Sequence, residues 1–354
     1  MKDQAIQYLA FDVHRSTIVA TARDHSGAIV MRATVPTDAS AVLRLVRSAG
    51  PRVHVAFEEG TQAQWLHDVV APHAERVVVC DIRGERKQGN KGDRLDADRL
   101  SERLRTGSLR GVFHGAKTLL TLKELVRNYN NLVEDGTRVM QRIKALFRAR
   151  AIDTPGVSVY RATQRDQWLA RLNGGARLRA DTLLAQLDVL LALRPKAKAA
   201  MIAEARRQPG WRSLRSIPFL GPVRVAEILA IIGTPFRFRT KRNLWPYVGL
   251  AVVTHASAEQ EFKDGMLRRR KKATVTRGLN RNHNPILKSV FKAAANAASA
   301  KPGPLCDLYN ASLARGMREE LAKLTLTRKI VSVALRLWKK GELWDPKKLT
   351  TQAT

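Results

Sequence analysis

The stretch YLAFDVHRSTIVATARDHSGAIVMRATV, residues 8–35, holds three runs of β-forming residues separated by two short breaks. The runs are 8–13, 16–22 and 28–35, and the Asp, Ser and Gly of the second break are typical of a hairpin turn. Strands joined by breaks this short pair with their neighbours in sequence. We therefore predict that the chain begins with an antiparallel three-stranded meander.

The next 70 residues continue in an alternating pattern of helix and strand. Thr37-Asp38 offers an N-cap, and the run 76–80 is almost entirely apolar, as in a strand that is buried on both faces. The pattern predicts, in order, a helix at 41–46, a strand at 53–57, a helix at 62–70, a strand at 76–80 and a helix at 94–104. This order predicts an α/β layer.

The rest of the chain is predicted to be all-α. Between Ala116 and Arg207 apolar residues recur at helical spacing, with a break at 153–156. This indicates either an antiparallel hairpin or coiled coil, or a plain helical connector. After Pro209-Gly210 we expect a compact, mostly helical region. The fold class is therefore α/β plus all-α, with boundaries at 1–112, 113–208, 209–345 and a tail at 346–354.

Composition limits the partners and the compartment. Lys and Arg number 63 against 31 Asp and Glu, which gives a net charge of +32. The sequence has no apolar run of 18 residues and enters a strand-like segment at once, so we expect neither a membrane span nor a signal peptide. A nucleic-acid partner explains the charge better. Cys80 and Cys306 cannot form a zinc motif or a disulfide framework, which favours the cytoplasm.

Acidic residues occur at three places in the predicted α/β layer. Asp12 follows Leu9-Ala10-Phe11 inside the first strand, where an uncompensated carboxylate is costly, and Glu58 ends a later strand. Asp93 and Asp96 have the i,i+3 spacing that puts both on one helix face. Hard cations prefer oxygen ligands, and phosphodiester chemistry with two Mg²⁺ ions needs such a cluster. The alternatives are compensation of a helix dipole and a solvated strand end.

Three stretches together resemble the DEDD transposases of bacterial insertion sequences. They are Leu9-Ala-Phe-Asp-Val-His14, Val53-His-Val-Ala-Phe-Glu-Glu-Gly60 and Lys91-Gly-Asp-Arg-Leu-Asp-Ala97. The resemblance implies a ribonuclease-H-like N-terminal domain similar to Holliday-junction resolvases. It also implies that Asp12, Glu58, Asp93 and Asp96 bind Mg²⁺, with Glu59 as the alternative to Glu58.

The C-terminal region is rich in basic residues. Residues 216–222, SIPFLGP, resemble a helix-hairpin-helix element, in which backbone N–H groups at a helix N-terminus can approach a phosphate; an ordinary Gly/Pro loop is the alternative. Residues 261–300 hold ten Lys or Arg against two acids. We expect nucleic-acid contacts from the following side chains: Arg237, Arg239, Lys241, Arg242, Arg268, Arg269, Arg270, Lys271 and Lys272.

The same family resemblance extends to this basic region. A Gly-Leu segment is followed about eight residues later by a serine, which here are Gly249-Leu250 and Ser257. The resemblance implies an enzyme that cleaves and rejoins donor and target DNA, with Ser257 as nucleophile, as a homo-oligomer guided by a structured noncoding RNA. The first alternative is a metal-dependent DNA junction nuclease without a covalent intermediate. A non-enzymatic nucleic-acid-binding protein is the second, and it leaves Asp12 unexplained.

Overall fold

The protein folds into two compact units, Met1–Gly115 and Ala116–Thr354. They are seen in a computed structural model that describes residues 5–81, 93–112, 119–256, 260–263, 265–269 and 275–350. Within these ranges the first unit is mixed α/β and the second is mostly helical. No helix there combines the length and the apolar character that crossing a bilayer requires.

A five-stranded sheet forms the centre of the first unit, in the spatial order β3-β2-β1-β4-β5. Its strands are β1 (Gln7–Val13), β2 (Thr17–Arg23), β3 (Ile29–Pro36), β4 (Val53–Glu58) and β5 (Arg76–Cys80). Strands β1, β2 and β3 pair antiparallel, which confirms the predicted meander, whereas β4 is parallel to both β1 and β5. In the β2–β3 turn, Asp24 accepts hydrogen bonds from the backbone N–H groups of Ser26 and Ala28.

Helices cover both faces of this sheet. The strand period of two sends Leu9 and Phe11 to one face, where they pack with α1 (Ala39–Ser48) and α2 (Ala63–Val70). Ala10 and Ala56 face the other side and pack with Leu100 of α3 (Asp93–Arg105). As predicted, Asp38 caps α1, because its Oδ1 accepts the N–H of Ala41 at 2.9 Å.

Two long helices, α4 (Leu120–Arg148) and α6 (Gly174–Arg207), pack against each other in the second unit, with the short α5 (Arg165–Leu169) between them in sequence. Val139 and Phe147, near the end of α4, share a core with Leu184, near the start of α6. At the other end, Arg194 of α6 lies over Tyr129 of α4. The helices are therefore antiparallel, as expected for a hairpin, and α4 ends before the predicted break.

Seven further helices follow among the described residues. They are α7 (Trp211–Ser216), α8 (Pro222–Ile232), α9 (Lys241–Val248), α10 (Pro285–Ser299), α11 (Pro304–Ala314), α12 (Glu319–Lys340) and α13 (Lys347–Thr350). They share one core with the α4 start and the α6 end. The boundary drawn at residue 208 between connector and C-terminal domain stays a prediction.

Two antiparallel ribbons, which the sequence pattern did not predict, interrupt these helices. One pairs β6 (Val252–Ala256) with β9 (Val275–Leu279), and the other pairs β7 (Gln260–Lys263) with β8 (Met266–Arg269). The β-branched residues of β6 and β9 lie on either side of the basic run 268–272. Because that run dominates the local composition, the sequence pattern did not identify the two segments as strands.

Candidate active site

Asp12 and Glu58 occupy equivalent positions on adjacent parallel strands. Phe11 of β1 pairs with Phe57 of β4, so the two acids are the next residue on each strand. Neighbouring strands lie about 4.8 Å apart, and residues two apart share a face. Asp12 and Glu58 therefore project, like Ala10 and Ala56, from the face that α3 covers. The Asp12 side chain is 19% exposed.

The direction of α3 brings its first turn toward these strand ends. Arg23, which pairs with Tyr8, donates from Nε to Ser101 Oγ at 3.1 Å. Thr21, which pairs with Ala10, donates to Asp98 Oδ1 at 2.7 Å. A step back along α3 is thus a step along β1 toward its carboxyl end. One turn before Asp98, the start of α3 therefore lies level with Asp12 along β1.

The start of α3 holds the remaining two predicted acids. Asp93 is its first residue, and Asp96 has a side chain that is 21% exposed and lies 3.9 Å from the Arg99 guanidinium. The side chain of Asp93 lies outside the part of the chain that the structure describes. Asp93 and Asp96 precede Ala97 and Leu100 by one turn each, and both of these are buried. Asp96, one turn before the buried Leu100, therefore sits on or beside the helix face turned to the sheet.

Asp98, two residues after Asp96, makes structural contacts with β2 and β3. Its carboxylate accepts from Arg32 Nη2 at 2.7 Å and Nε at 3.2 Å, as well as from Thr21. The hydrogen bond from Arg32 is the main reason that the pKa of Asp98 lies below its ordinary value. Asp98 therefore anchors α3 to β2 and β3.

Glu58 and Glu59 differ in position. Glu58 is the last residue of β4 and is half-buried on the α3 side, whereas Glu59 is exposed and its N–H bonds to Cys80 O at 2.8 Å. Strand alternation favours Glu58 as the partner of Asp12. Asp81 directly follows β5 at the same edge of the sheet. Sequence reasoning did not single it out, although an acid after a buried strand was the available signal.

His14 contacts Asp12, with its Nε2 at 3.2 Å from Asp12 Oδ2. Among the side chains that the structure describes, no three His, Cys, Asp or Glu residues meet closely enough to hold a metal ion. Asp12, Glu58 and Asp96 therefore do not form such a group by themselves, and the side chain of Asp93, the fourth predicted ligand, lies outside the described residues. Carboxylates on two strand ends and on a helix start are nonetheless the oxygen donors that a divalent cation prefers, so the donor set fits one.

The basic segment 236–242 contains one cation that packs on a neighbouring aromatic ring and three that are exposed. The Arg237 guanidinium lies 4.5 Å from the ring centre of Tyr247 and donates to its hydroxyl at 3.3 Å. This residue therefore fixes the segment. Arg239, Lys241 and Arg242 are exposed.

The second basic segment is only partly described. Arg268 is exposed on β8, and Arg269 ends that strand. The side chain of Arg269 and the whole of Arg270, Lys271 and Lys272 lie outside the described residues. The nucleic-acid contacts predicted for them stay predictions.

The SIPFLGP loop joins two helices, as the resemblance to a helix-hairpin-helix element predicts. Gly221 and Pro222 begin α8, and Phe219 adopts a positive φ of 67°. Arg215 Nη1 donates to Leu220 O at 2.6 Å, and Arg224 Nη1 donates to Phe219 O at 2.7 Å. Two cations therefore fix the loop at the N-terminus of α8. Phosphate binding there stays a prediction.

Ser257 lies outside the described residues, but the segment that leads to it is well defined. Gly249 ends α9 at φ 76°, and a Cβ there would come within 2.5 Å of the His283 ring. Arg328 donates to Leu250 O from Nε at 2.8 Å. Strand β6 then runs to Ala256, the residue before the serine. The Gly-Leu pair is therefore a packed turn that fixes the start of β6.

The Asn- and His-rich stretch after β9 has a structural role. Asn280 Nδ2 donates to Pro246 O at 3.1 Å, and Asn284 Oδ1 accepts the N–H of Leu287, which caps α10. The His283 ring rests on Gly249, with its Nδ1 at 2.8 Å from Asn280 O. These side chains hold the turn before β6 in place.

An acid-bearing α/β unit joined to a basic helical unit matches known transposases. The family model of the DEDD transposases of the IS110 type matches residues 9–150, and the model described as "Transposase IS116/IS110/IS902 family" matches residues 212–276. Together they cover more than half of the chain. The chain belongs to this transposase family, which confirms the resemblance seen in the sequence.

The chain is also similar to a known insertion-element protein. It is 24% identical over 402 aligned residues to the "Insertion element IS116 uncharacterized 44.8 kDa protein" of Streptomyces clavuligerus, and the alignment covers 98% of each chain. The protein is therefore an insertion-sequence transposase, with DNA as its substrate. Divalent metal is typical of the DEDD group. All four predicted acids fall within the first matched range, and Ser257 falls within the second.

Proposed function

We propose that residues 1–112 form a ribonuclease-H-like domain in which Asp12, Glu58, Asp93 and Asp96 hold Mg²⁺ for cleavage of DNA strands. The observation that carries this proposal is the equivalent placement of Asp12 and Glu58 on β1 and β4. The sheet order, with three antiparallel strands followed by two parallel ones, supports it. So does the course of α3, whose first turn carries the other two acids.

Divalent cations bound by these carboxylates would stabilise the attacking and leaving oxygens of the phosphodiester. The protein would supply the carboxylate oxygens and keep them in position. Asp12 and Glu58 are fixed by the sheet register, while Asp93 and Asp96 depend on the position of α3. The Asp98–Arg32 ion pair maintains that position. His14 adds a hydrogen bond to Asp12 when its Nε2 carries a proton.

Ser257 is the proposed nucleophile of strand transfer. Its Oγ would attack phosphorus, the strand's own oxygen would leave, and the serine proton would pass to a general base or solvent. The phosphoserine link conserves the energy of the broken phosphodiester bond. The hydroxyl of a DNA strand then attacks the phosphorus, forms a new phosphodiester and releases the serine. The packed turn at Gly249 supports this role, because it fixes the start of β6, the strand that precedes Ser257 in sequence.

The basic surface is proposed to bind both donor and target DNA and a structured noncoding RNA, in a homo-oligomer. The exposed Arg239, Lys241, Arg242 and Arg268 and the net charge of +32 support a polyanion partner. In this proposal residues 113–208 connect the acidic domain to a transposase domain at 209–345, with a tail at 346–354. One observation favours the junction nuclease as second candidate: Asp12, Glu58 and α3 all lie within the first unit.

A comparison of two variants tests the proposal. Asp12→Asn should lose strand cleavage while nucleic-acid binding stays nearly intact, because the lost group handles metal and not phosphate. Ser257→Ala should bind DNA but form neither a covalent protein–DNA adduct nor recombinant product. Recombination by Ser257→Ala at the wild-type rate would remove the serine step. Nicking by Ser257→Ala but not by Asp12→Asn would leave the junction nuclease.

A further inference from the structure

A groove of about 480 Å³ in the helical unit has an exposed aromatic ring at its edge. Phe236 lines this groove and is 73% exposed, more than any other large apolar side chain that the structure describes. The groove volume is in the range of small-molecule sites. An exposed aromatic ring beside such a groove offers a flat face on which a planar ligand can stack.

One wall of the groove is preformed by Trp338. This indole is buried and donates from Nε1 to Pro209 O at 3.2 Å. Gly210, at φ 91°, lies directly against the ring, so that any side chain at position 210 would overlap it. The wall therefore depends on the packing of a glycine against a tryptophan and is present before any ligand binds.

The backbone that presents Phe236 is held on both sides. Lys339 Nζ donates to Phe238 O at 2.6 Å and to Arg239 O at 3.1 Å, which ties the end of α12 to this segment. On the other side, Arg237 is bound to Tyr247. The ring thus projects from a fixed segment, which lowers the entropic cost of binding against it.

Charge around the groove identifies the class of ligand. Lys340 lines the groove with its side chain 61% exposed, and Arg239, Lys241 and Arg242 follow Phe236 in sequence and are exposed. Lys340 lies 3.6 Å from Glu342, a described acid beside the groove. The described charged side chains that line the groove are Lys339 and Lys340, and an apolar floor beside these cations fits a base and its phosphate. A polyanion complements them better than a second copy of a chain with charge +32.

We propose that this groove binds one unpaired nucleotide of the DNA substrate, with its base stacked on Phe236 and its phosphate near Lys340. Strand cleavage and rejoining must separate the two DNA strands, which supplies unpaired nucleotides, so this inference rests on the proposed function. Stacking a base on an aromatic side chain is tolerant of sequence. The site therefore holds a displaced strand without reading it.

The test uses the full-length protein and a single-stranded DNA oligomer that contains 2-aminopurine, whose fluorescence falls when the base stacks. Phe236→Ala should bind the oligomer about tenfold more weakly and lose the quenching, because one stacked base contributes about this much to affinity. Phe236→Trp should retain both. Leu321→Ala removes an exposed apolar side chain of α12 that does not line the groove, so it is the matched control and should behave as wild type. All variants should keep the wild-type Tm, since the Phe236 side chain is exposed.

Each other outcome overturns the inference in a recognisable way. If Phe236→Ala keeps the wild-type affinity and quenching, the groove does not bind the nucleotide. Duplex binding that stays intact in this variant would leave the proposed function standing. An effect on an RNA oligomer of the same sequence but not on DNA would make RNA the ligand instead. An altered oligomeric state of Phe236→Ala in sedimentation would make a second copy the occupant. Wild-type protein that binds neither duplex nor single strand at low salt would remove the proposed function as well.

Discussion

Asp98 and Arg32 form a two-point ion pair between α3 and β3, with Nη2–Oδ2 at 2.7 Å and Nε–Oδ1 at 3.2 Å. Thr21 and Arg23 of β2 add hydrogen bonds to the same region of the helix. Asp98 follows Asp96 by about half a turn of α3 and Asp93 by about one and a half turns. It therefore sets where the first turn of α3 stands relative to Asp12.

We expect Arg32→Ala to raise the divalent-metal concentration needed for half-maximal DNA cleavage several-fold, because α3 loses an anchor on β3. The cost in stability should be small, since Arg32 is 46% exposed and solvent screens the ion pair. Arg52→Ala is the matched control: it removes a similarly exposed arginine from an ion pair with Glu75 that does not involve α3. Titrations of cleavage against Mn²⁺ and Mg²⁺ measure the effect. Equal metal requirements in the two variants would contradict the positioning role.

Stability of the helical unit should depend on Glu227 of α8. Burial raises the pKa of this carboxyl above its ordinary value of 4.5, against the opposing hydrogen bond from Asn130 and the charge of Arg224. A raised pKa in the folded state means that the folded protein binds the proton more tightly. The free energy of unfolding therefore falls as pH rises from 4.5 through the folded pKa.

Glu227→Gln should accordingly raise the Tm at pH 7 by on the order of 2–4 °C, the change that ~1 kcal/mol gives for a unit of this size. At pH 4 the two proteins should have nearly the same Tm. Glu124→Gln, at an exposed position of α4, should change neither value. Thermal unfolding followed by tryptophan fluorescence makes the comparison. A variant that is less stable at pH 7 would show that the charged carboxylate stabilises the fold.

Nucleic-acid affinity should fall steeply with salt, on the order of 10³-fold or more between 50 and 200 mM if six or more phosphates are neutralised. The triple variant of Arg239, Lys241 and Arg242 to Ala should reduce the slope of log K against log salt by up to about 0.9 for each phosphate that these side chains neutralise. Arg179→Ala and Lys198→Ala, at exposed positions of α6, are the controls. An unchanged slope in the triple variant would place the phosphate-binding side chains elsewhere.

Local pattern was sufficient to predict most of the first unit. The runs of β-formers and the break at 24–27 predicted the meander, and the apolar residues before Asp12 singled it out as a candidate functional acid. The match of Asp12 with Glu58 depends on β4 joining β1 in parallel after a helix. The sequence does not specify that register directly.

The features that were not predicted depend on interactions between residues distant in sequence. Asp98 has the spacing of an acid that complements a helix dipole, but its partner Arg32 lies 66 residues earlier. The packing of the Arg237 guanidinium on the Tyr247 ring could not be read from the sequence, and the phosphate contact predicted for Arg237 stays a prediction. Strands β6 and β9 pair across a long intervening segment, and short strands of this kind have little local signal.

Mn²⁺ located by anomalous scattering in crystals of the full-length protein tests the central claim most directly. We predict a peak bounded by the carboxylates of Asp12, Glu58, Asp93 and Asp96, at about 2.0–2.3 Å from their oxygens, and its loss in Asp12→Asn. Asp98, bound to Arg32, should contribute no ligand. Carboxylates of Asp12 and Asp93 more than roughly 10 Å apart in every state, with Mn²⁺ bound elsewhere, would contradict the account, because shared metals lie about 4 Å from one another.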